Sequence, residues 1–116
     1  MHETDVAIAR NKLTELAEET GLSFDDLVNL WSTETADQLE SAVAALAAGN
    51  LSEAARLVHG AAGATGMCGV VGLADQLKAV ELFAVAGRGS DAQEALTRAR
   101  VRFERVSGLL SKSAEL

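Results

Sequence analysis

His59 is the side chain of this sequence best suited to nucleophilic chemistry. It stands in the segment 54–73, which reads AARLVHGAAGATGMCGVVGL. An unperturbed imidazole is about half neutral near pH 6.5, so one ring nitrogen keeps an available lone pair at cellular pH. The sequence therefore makes His59 a candidate nucleophile, whereas His2 stands in no comparable setting.

Three glycines follow His59 at helical spacing. Gly60, Gly63 and Gly66 each cost a helix roughly 1 kcal/mol relative to alanine, so a purely structural helix would gain by replacing them. With about 100° of rotation per residue, the residues on the same face as His59 are small apart from one arginine: Ala55, Arg56, Ala62, Gly63 and Gly66. We expect these five residues to form a smooth, exposed surface on which a macromolecular partner binds. Close helix–helix packing through small residues is the alternative explanation of the glycines.

Local signals divide the chain into five helices. C-terminal caps in the left-handed conformation are expected at Gly21, Gly49 and Gly87. N-terminal caps, each with a polar partner three positions later, are expected at Ser23, Asn50 and Ser90. Apolar periodicity between these signals predicts helices at about 4–20, 24–48, 51–68, 70–86 and 91–112.

The predicted fold is all-α. The chain contains no proline and few aromatic residues, and no segment alternates between apolar and polar residues as a strand would. Short connections make neighbouring helices antiparallel, which favours an up-down-up-down four-helix bundle over 23–116. The N-terminal helix, within 1–22, would pack across one end, so residues 1–116 would form a single domain.

Composition excludes several classes of function. A net charge of −7 disfavours binding to nucleic acid and to anionic membranes. Cys68 is the one cysteine, so no internal disulfide and no metal site are predicted. The sequence MHETDVAIARNK does not resemble a signal peptide, and we expect a cytoplasmic location and no cofactor.

The region from Ala47 to Gly87 resembles the histidine-containing phosphotransfer (HPt) family. In that family a phosphorylatable histidine is usually followed by a lysine three positions later and by glycines four and ten positions later. An apolar residue stands fourteen positions after the histidine, and often a glutamate about twenty-two positions after it. The corresponding residues here are His59, Gly63, Gly69, Leu73 and Glu81. The resemblance implies a monomeric phosphocarrier without an ATP site of its own. His59 would accept a phosphoryl group from a receiver-domain phosphoaspartate, or from a hybrid histidine kinase, and pass it to a response regulator.

One position departs from the family pattern, because Ala62 stands where the lysine is usual. In the family that cation is thought to balance the phosphate charge. Arg56, one turn earlier on the same face, is a candidate substitute. A degenerate module that binds receivers without phosphotransfer is an alternative reading, and so is an ordinary helical bundle, monomeric or oligomeric.

A second alignment places Arg56 at the phosphosite and His59 at the lysine position, which would make the domain inactive. It puts Val70 and Lys78 where Leu73 and Glu81 otherwise fit. We therefore favour the alignment with His59 at the phosphosite.

Overall fold

A computed structural model describes the backbone of residues 2–115 and the side chains of residues 5–111. Over this range the chain is helical, and its elements are α1 (His2–Thr20), α2 (Phe24–Ala47), α3 (Leu51–Met67), α4 (Val71–Val85) and α5 (Gly89–Glu115). The all-α prediction is confirmed. The middle three helices end within one residue of the predicted limits, and α5 extends beyond its predicted limits at both ends.

Helices α2 to α5 form a closed four-helix bundle. Helix α2 packs against α3 and α5, and α4 packs against the same two helices from the other side. Two positions show the antiparallel register of α3 and α4. His59 meets Glu81, and a Cβ atom at Gly66 would lie 3.9 Å from the Cβ of Ala74. The predicted topology is therefore confirmed.

Local capping signals account for most helix ends. Gly21, Gly49 and Gly87 adopt φ angles of 78°, 77° and 78°. The side chains of Ser23 and Asn50 accept the predicted hydrogen bonds, from the backbone N–H of Asp26 at 3.0 Å and of Glu53 at 3.3 Å. The cap predicted at Ser90 is wrong. Helix α5 begins at Gly89, and the carbonyl of Arg88 accepts from the N–H of Ala92 at 3.0 Å.

Trp31 fixes the rotation of α3 within the bundle. Its indole Nε1–H donates to the hydroxyl of Thr65 at 3.1 Å, and its ring meets Phe103 edge-on with centroids 5.4 Å apart. Thr65 is fully buried. Because Thr65 is held toward α2 and α5, the His59 side of α3 must face outward.

Helix α1 lies across the end of the bundle that carries the α3–α4 connection. Asp5, which is buried, accepts from the Nε of Arg102 in α5 at 2.8 Å. Gly69, with φ of 82°, lies directly under α1, and a Cβ there would come within 2.8 Å of the Cβ of Lys12. Glycine is thus required at the end of α3 both by its backbone conformation and by the close approach of α1.

Candidate functional site

His59 lies midway along α3 and projects into solvent. Its side chain is 77% exposed. On the same helix Arg56, Gly60, Gly63 and Gly66 are exposed as well, while Val58 and Ala61 are buried in the core. The helix therefore presents the imidazole on an open face from which large apolar side chains are missing.

Two of the five residues predicted to share that face depart from full exposure. Ala55 is half-buried against the core, and Ala62 is only 3% exposed. The expectation that Ala62 lies on the open surface is wrong, because α4 packs over that edge of α3. Gly63 and Gly66 remain exposed on the same face of α3 as His59, and Gly63 lines a cavity together with the imidazole.

Gly63 is not needed for packing inside the chain. A Cβ at this position would meet no atom within 4 Å. A Cβ at Gly60 would come within 3.2 Å of the side chain of Gln38, which is a flexible neighbour. Close helix–helix packing within the chain therefore does not explain Gly63.

Gly63→Ala is expected to raise the free energy of unfolding by about 0.5–1 kcal/mol. Alanine restricts the unfolded chain and suits a helix better than glycine, and the open space accommodates the added methyl group. Urea denaturation followed by far-UV circular dichroism measures the change. Gly87→Ala is the matched control, since its space is equally open but its φ of 78° should make the same substitution cost about 1 kcal/mol. A destabilised Gly63→Ala protein would show that the face is packed after all.

Glu81 binds one nitrogen of the imidazole. The Nδ1 atom of His59 lies 3.0 Å from Oε2 and 3.2 Å from Oε1 of Glu81, and the Glu81 side chain is only 26% exposed. A carboxylate accepts a hydrogen bond and does not donate one, so Nδ1 carries the proton in this contact. In the neutral ring Nε2 is then left with the free lone pair.

An open cavity of about 300 Å³ lies beside His59 between α3 and α4. It is lined by the imidazole of His59 and by two small residues of α3, Ala62 and Gly63. On the α4 side it is lined by Lys78, Glu81 and the exposed Leu82. A small charged group bound in this cavity would lie next to the imidazole.

Arg56, the candidate substitute for the missing lysine, is paired with a carboxylate of its own helix. Its Nε donates to Oε1 of Glu53 at 2.7 Å, and its Nη2 contacts the same oxygen. A partner's phosphate would have to compete with Glu53 for this guanidinium. Lys78, by contrast, lies on the wall of the cavity beside His59. Lys78 was not among the site residues predicted from the sequence, although its position one turn before Glu81 on α4 was a usable signal.

Cys68 does not compete with His59 as a nucleophile. Burial raises the pKa of the Cys68 thiol, so the thiol stays protonated near neutral pH. Within the described side chains no group of three histidine, cysteine or carboxylate residues is arranged to hold a metal ion. Nor does any helix in the described part of the chain have the length and apolar character needed to cross a membrane.

Comparison with known proteins identifies one family. A family model described as Hpt domain matches residues 26–112, which covers all of α3 and α4 and most of α2 and α5. No curated protein and no solved structure gives a significant match to the chain.

Proposed function

Because this chain belongs to the Hpt domain family, whose role is phosphotransfer in two-component signalling, we propose that it is a phosphorelay intermediate. His59 accepts a phosphoryl group from the phosphoaspartate of a receiver domain, or from a kinase, and passes it to a response regulator. The observation that carries this proposal is the exposed imidazole with Nδ1 held by Glu81. That contact leaves Nε2 as the nucleophile.

The transfer step follows from this geometry. Nε2 attacks phosphorus in line, the Nε2–P bond forms, and the bond from phosphorus to the aspartyl oxygen breaks. The imidazole ring gains positive charge as its lone pair is shared. Glu81, 3.0 Å from Nδ1, stabilises that charge, while positioning does most of the remaining work in phosphoryl transfer. The receiver supplies its own Mg²⁺, and the same step in reverse passes the group onward.

The surface around His59 suits a protein partner. Gly63 and Gly66 leave the α3 side clear for the partner's active-site loops. Leu82 of α4 is 69% exposed and lines the cavity beside the imidazole, so it offers an apolar contact there. Val85, 71% exposed, lies one turn further along α4. Transient signalling contacts bury modest areas, below about 1,200 Å² in total. We propose that the monomer binds receivers through this face of α3 and α4.

The contact between His59 and Glu81 also favours the alignment that places His59 at the phosphosite. In the competing alignment His59 takes the lysine position, and Lys78 replaces the glutamate. Glu81 would then have no assigned role, although it holds the imidazole at 3.0 Å. Ala62 still supports one alternative, a degenerate module that binds receivers without accepting phosphate.

The test is incubation with a panel of receiver domains that have been phosphorylated with radiolabelled acetyl phosphate. At least one receiver is expected to pass its label to this protein, and the label should be lost in acid and kept in base, as a P–N bond requires. Binding to a receiver without transfer would select the degenerate module. A label that survives acid and is lost in base would place the phosphoryl group on a different residue type.

A further inference from the structure

The α3–α4 register places a cation opposite the position where the family's usual lysine is missing. His59 of α3 contacts Glu81 of α4. Because the helices are antiparallel, the next facing pair lies one turn later on α3 and one turn earlier on α4. These two residues are Ala62 and Lys78. Four residues further in the same directions, a Cβ atom at Gly66 would lie 3.9 Å from the Cβ of Ala74. Lys78 and Ala62 are therefore neighbours across the helix interface.

The structure around Ala62 supports the same pairing. Ala62 is 3% exposed because α4 covers it, while Lys78 is exposed and lines the cavity together with Ala62, Gly63 and His59. A long side chain at position 62 would have to compete with Lys78 for this space. The small residue on α3 and the long cation on α4 are thus complementary.

The charges around the cavity leave Lys78 available. The carboxylate one turn after it, Glu81, is engaged by His59 at 3.0 Å. Arg56, the other cation near the imidazole, is paired with Glu53. Within residues 5–111 Lys78 takes part in none of the ion pairs.

We infer that Lys78 supplies the positive charge for phosphoryl transfer at His59, in place of a lysine on α3. Its ammonium group, on a flexible four-carbon stem, contacts the phosphoryl oxygens as negative charge is redistributed between the aspartyl oxygen and the phosphohistidine. The lysine donates hydrogen bonds and is not consumed, so the atoms and electrons balance as in the step above. This inference rests on the proposed function and names the cation that this site uses.

The test measures single-turnover transfer from a phosphorylated receiver that labels the wild-type protein. Lys78→Met removes the charge and keeps most of the length. At saturating receiver, Lys78→Met is expected to slow transfer roughly tenfold. This effect is smaller than that of removing a buried, preorganised donor, because Lys78 is exposed to solvent. The receiver concentration at half-maximal rate should change less than about twofold, since the cation acts on the transferring group. Lys78→Arg should stay within about threefold of the wild-type rate, because it keeps the charge.

Arg105→Met is the matched control, because Arg105 is an exposed cation of α5, the helix that lies diagonally across the bundle from α3. It should leave the transfer rate within about twofold of wild type, since it removes the same charge at a distance from His59. The inference is overturned if Lys78→Met transfers as fast as wild type, if Lys78→Arg is as slow as Lys78→Met, or if Arg105→Met slows transfer as much as Lys78→Met does. Failure of every receiver to label the wild-type protein would instead refute the proposed function, so the two failures are distinguishable.

Discussion

His59→Gln is expected to abolish phosphoryl uptake from every receiver that labels the wild-type protein. Glutamine has a similar length and polarity, but its amide nitrogen has no nucleophilic lone pair. His59 is 77% exposed, and surface substitutions usually change stability by less than about 0.5 kcal/mol. Loss of labelling would therefore report lost chemistry rather than lost folding, which circular dichroism and a urea denaturation curve would verify.

The chain provides a matched control for this substitution, because its only other histidine is His2. His2→Gln should take up label at the wild-type rate. Labelling that persists in His59→Gln and disappears in His2→Gln would move the phosphosite to the N-terminus. Labelling that persists in both variants would exclude histidine as the acceptor.

Glu81→Ala is expected to slow phosphoryl transfer to His59 roughly ten- to hundredfold, by analogy with the loss of a carboxylate that orients a metal-binding histidine. Without the carboxylate, the neutral imidazole can place its proton on either nitrogen, and Nε2 is unprotonated in only part of the population. The developing positive charge on the ring also loses its counter-charge at 3.0 Å. Single-turnover transfer at saturating receiver measures the effect.

Glu53→Ala is the control for Glu81→Ala. It also removes a carboxylate near the exposed face of α3, but that carboxylate pairs with Arg56 and not with the imidazole. Its transfer rate should remain within about twofold of wild type. Equal slowing by the two variants would mean that net charge, rather than the contact with Nδ1, sets the rate.

The fold could be predicted because its signals are local. The left-handed glycines and the capping side chains of Ser23 and Asn50 are readable from the sequence, and the structure uses them as expected. Ser90 was misjudged because the connection between α4 and α5 is shorter than the capping pattern implies. The N–H of Arg88 bonds to the carbonyl of Phe83 at 2.8 Å to close α4, and the next helix begins directly after it, before the serine is reached.

The site could be predicted only in part, because the angular spacing of residues around one helix does not show which residues of another helix lie beside them. That spacing placed Ala62 and Gly63 on one face, but α4 covers Ala62 and leaves Gly63 open. Likewise Lys78 is far from His59 in sequence, and it becomes a neighbour only through the antiparallel register of α3 and α4. The residue pattern of α3 alone was enough to identify His59 as a candidate. Lys78 could be identified only from the packing of α3 against α4.

The most direct test of the central claim is NMR of the phosphorylated protein carrying isotope-labelled histidine. Phosphorus coupling to the ring nitrogens identifies both the residue and the atom that hold the group, and the chain's two histidines give an uncrowded spectrum. The structure predicts a single phosphohistidine at Nε2 of His59, with the Nδ1 proton retained toward Glu81. Phosphorus on Nδ1, on His2 or on a residue other than histidine would contradict it.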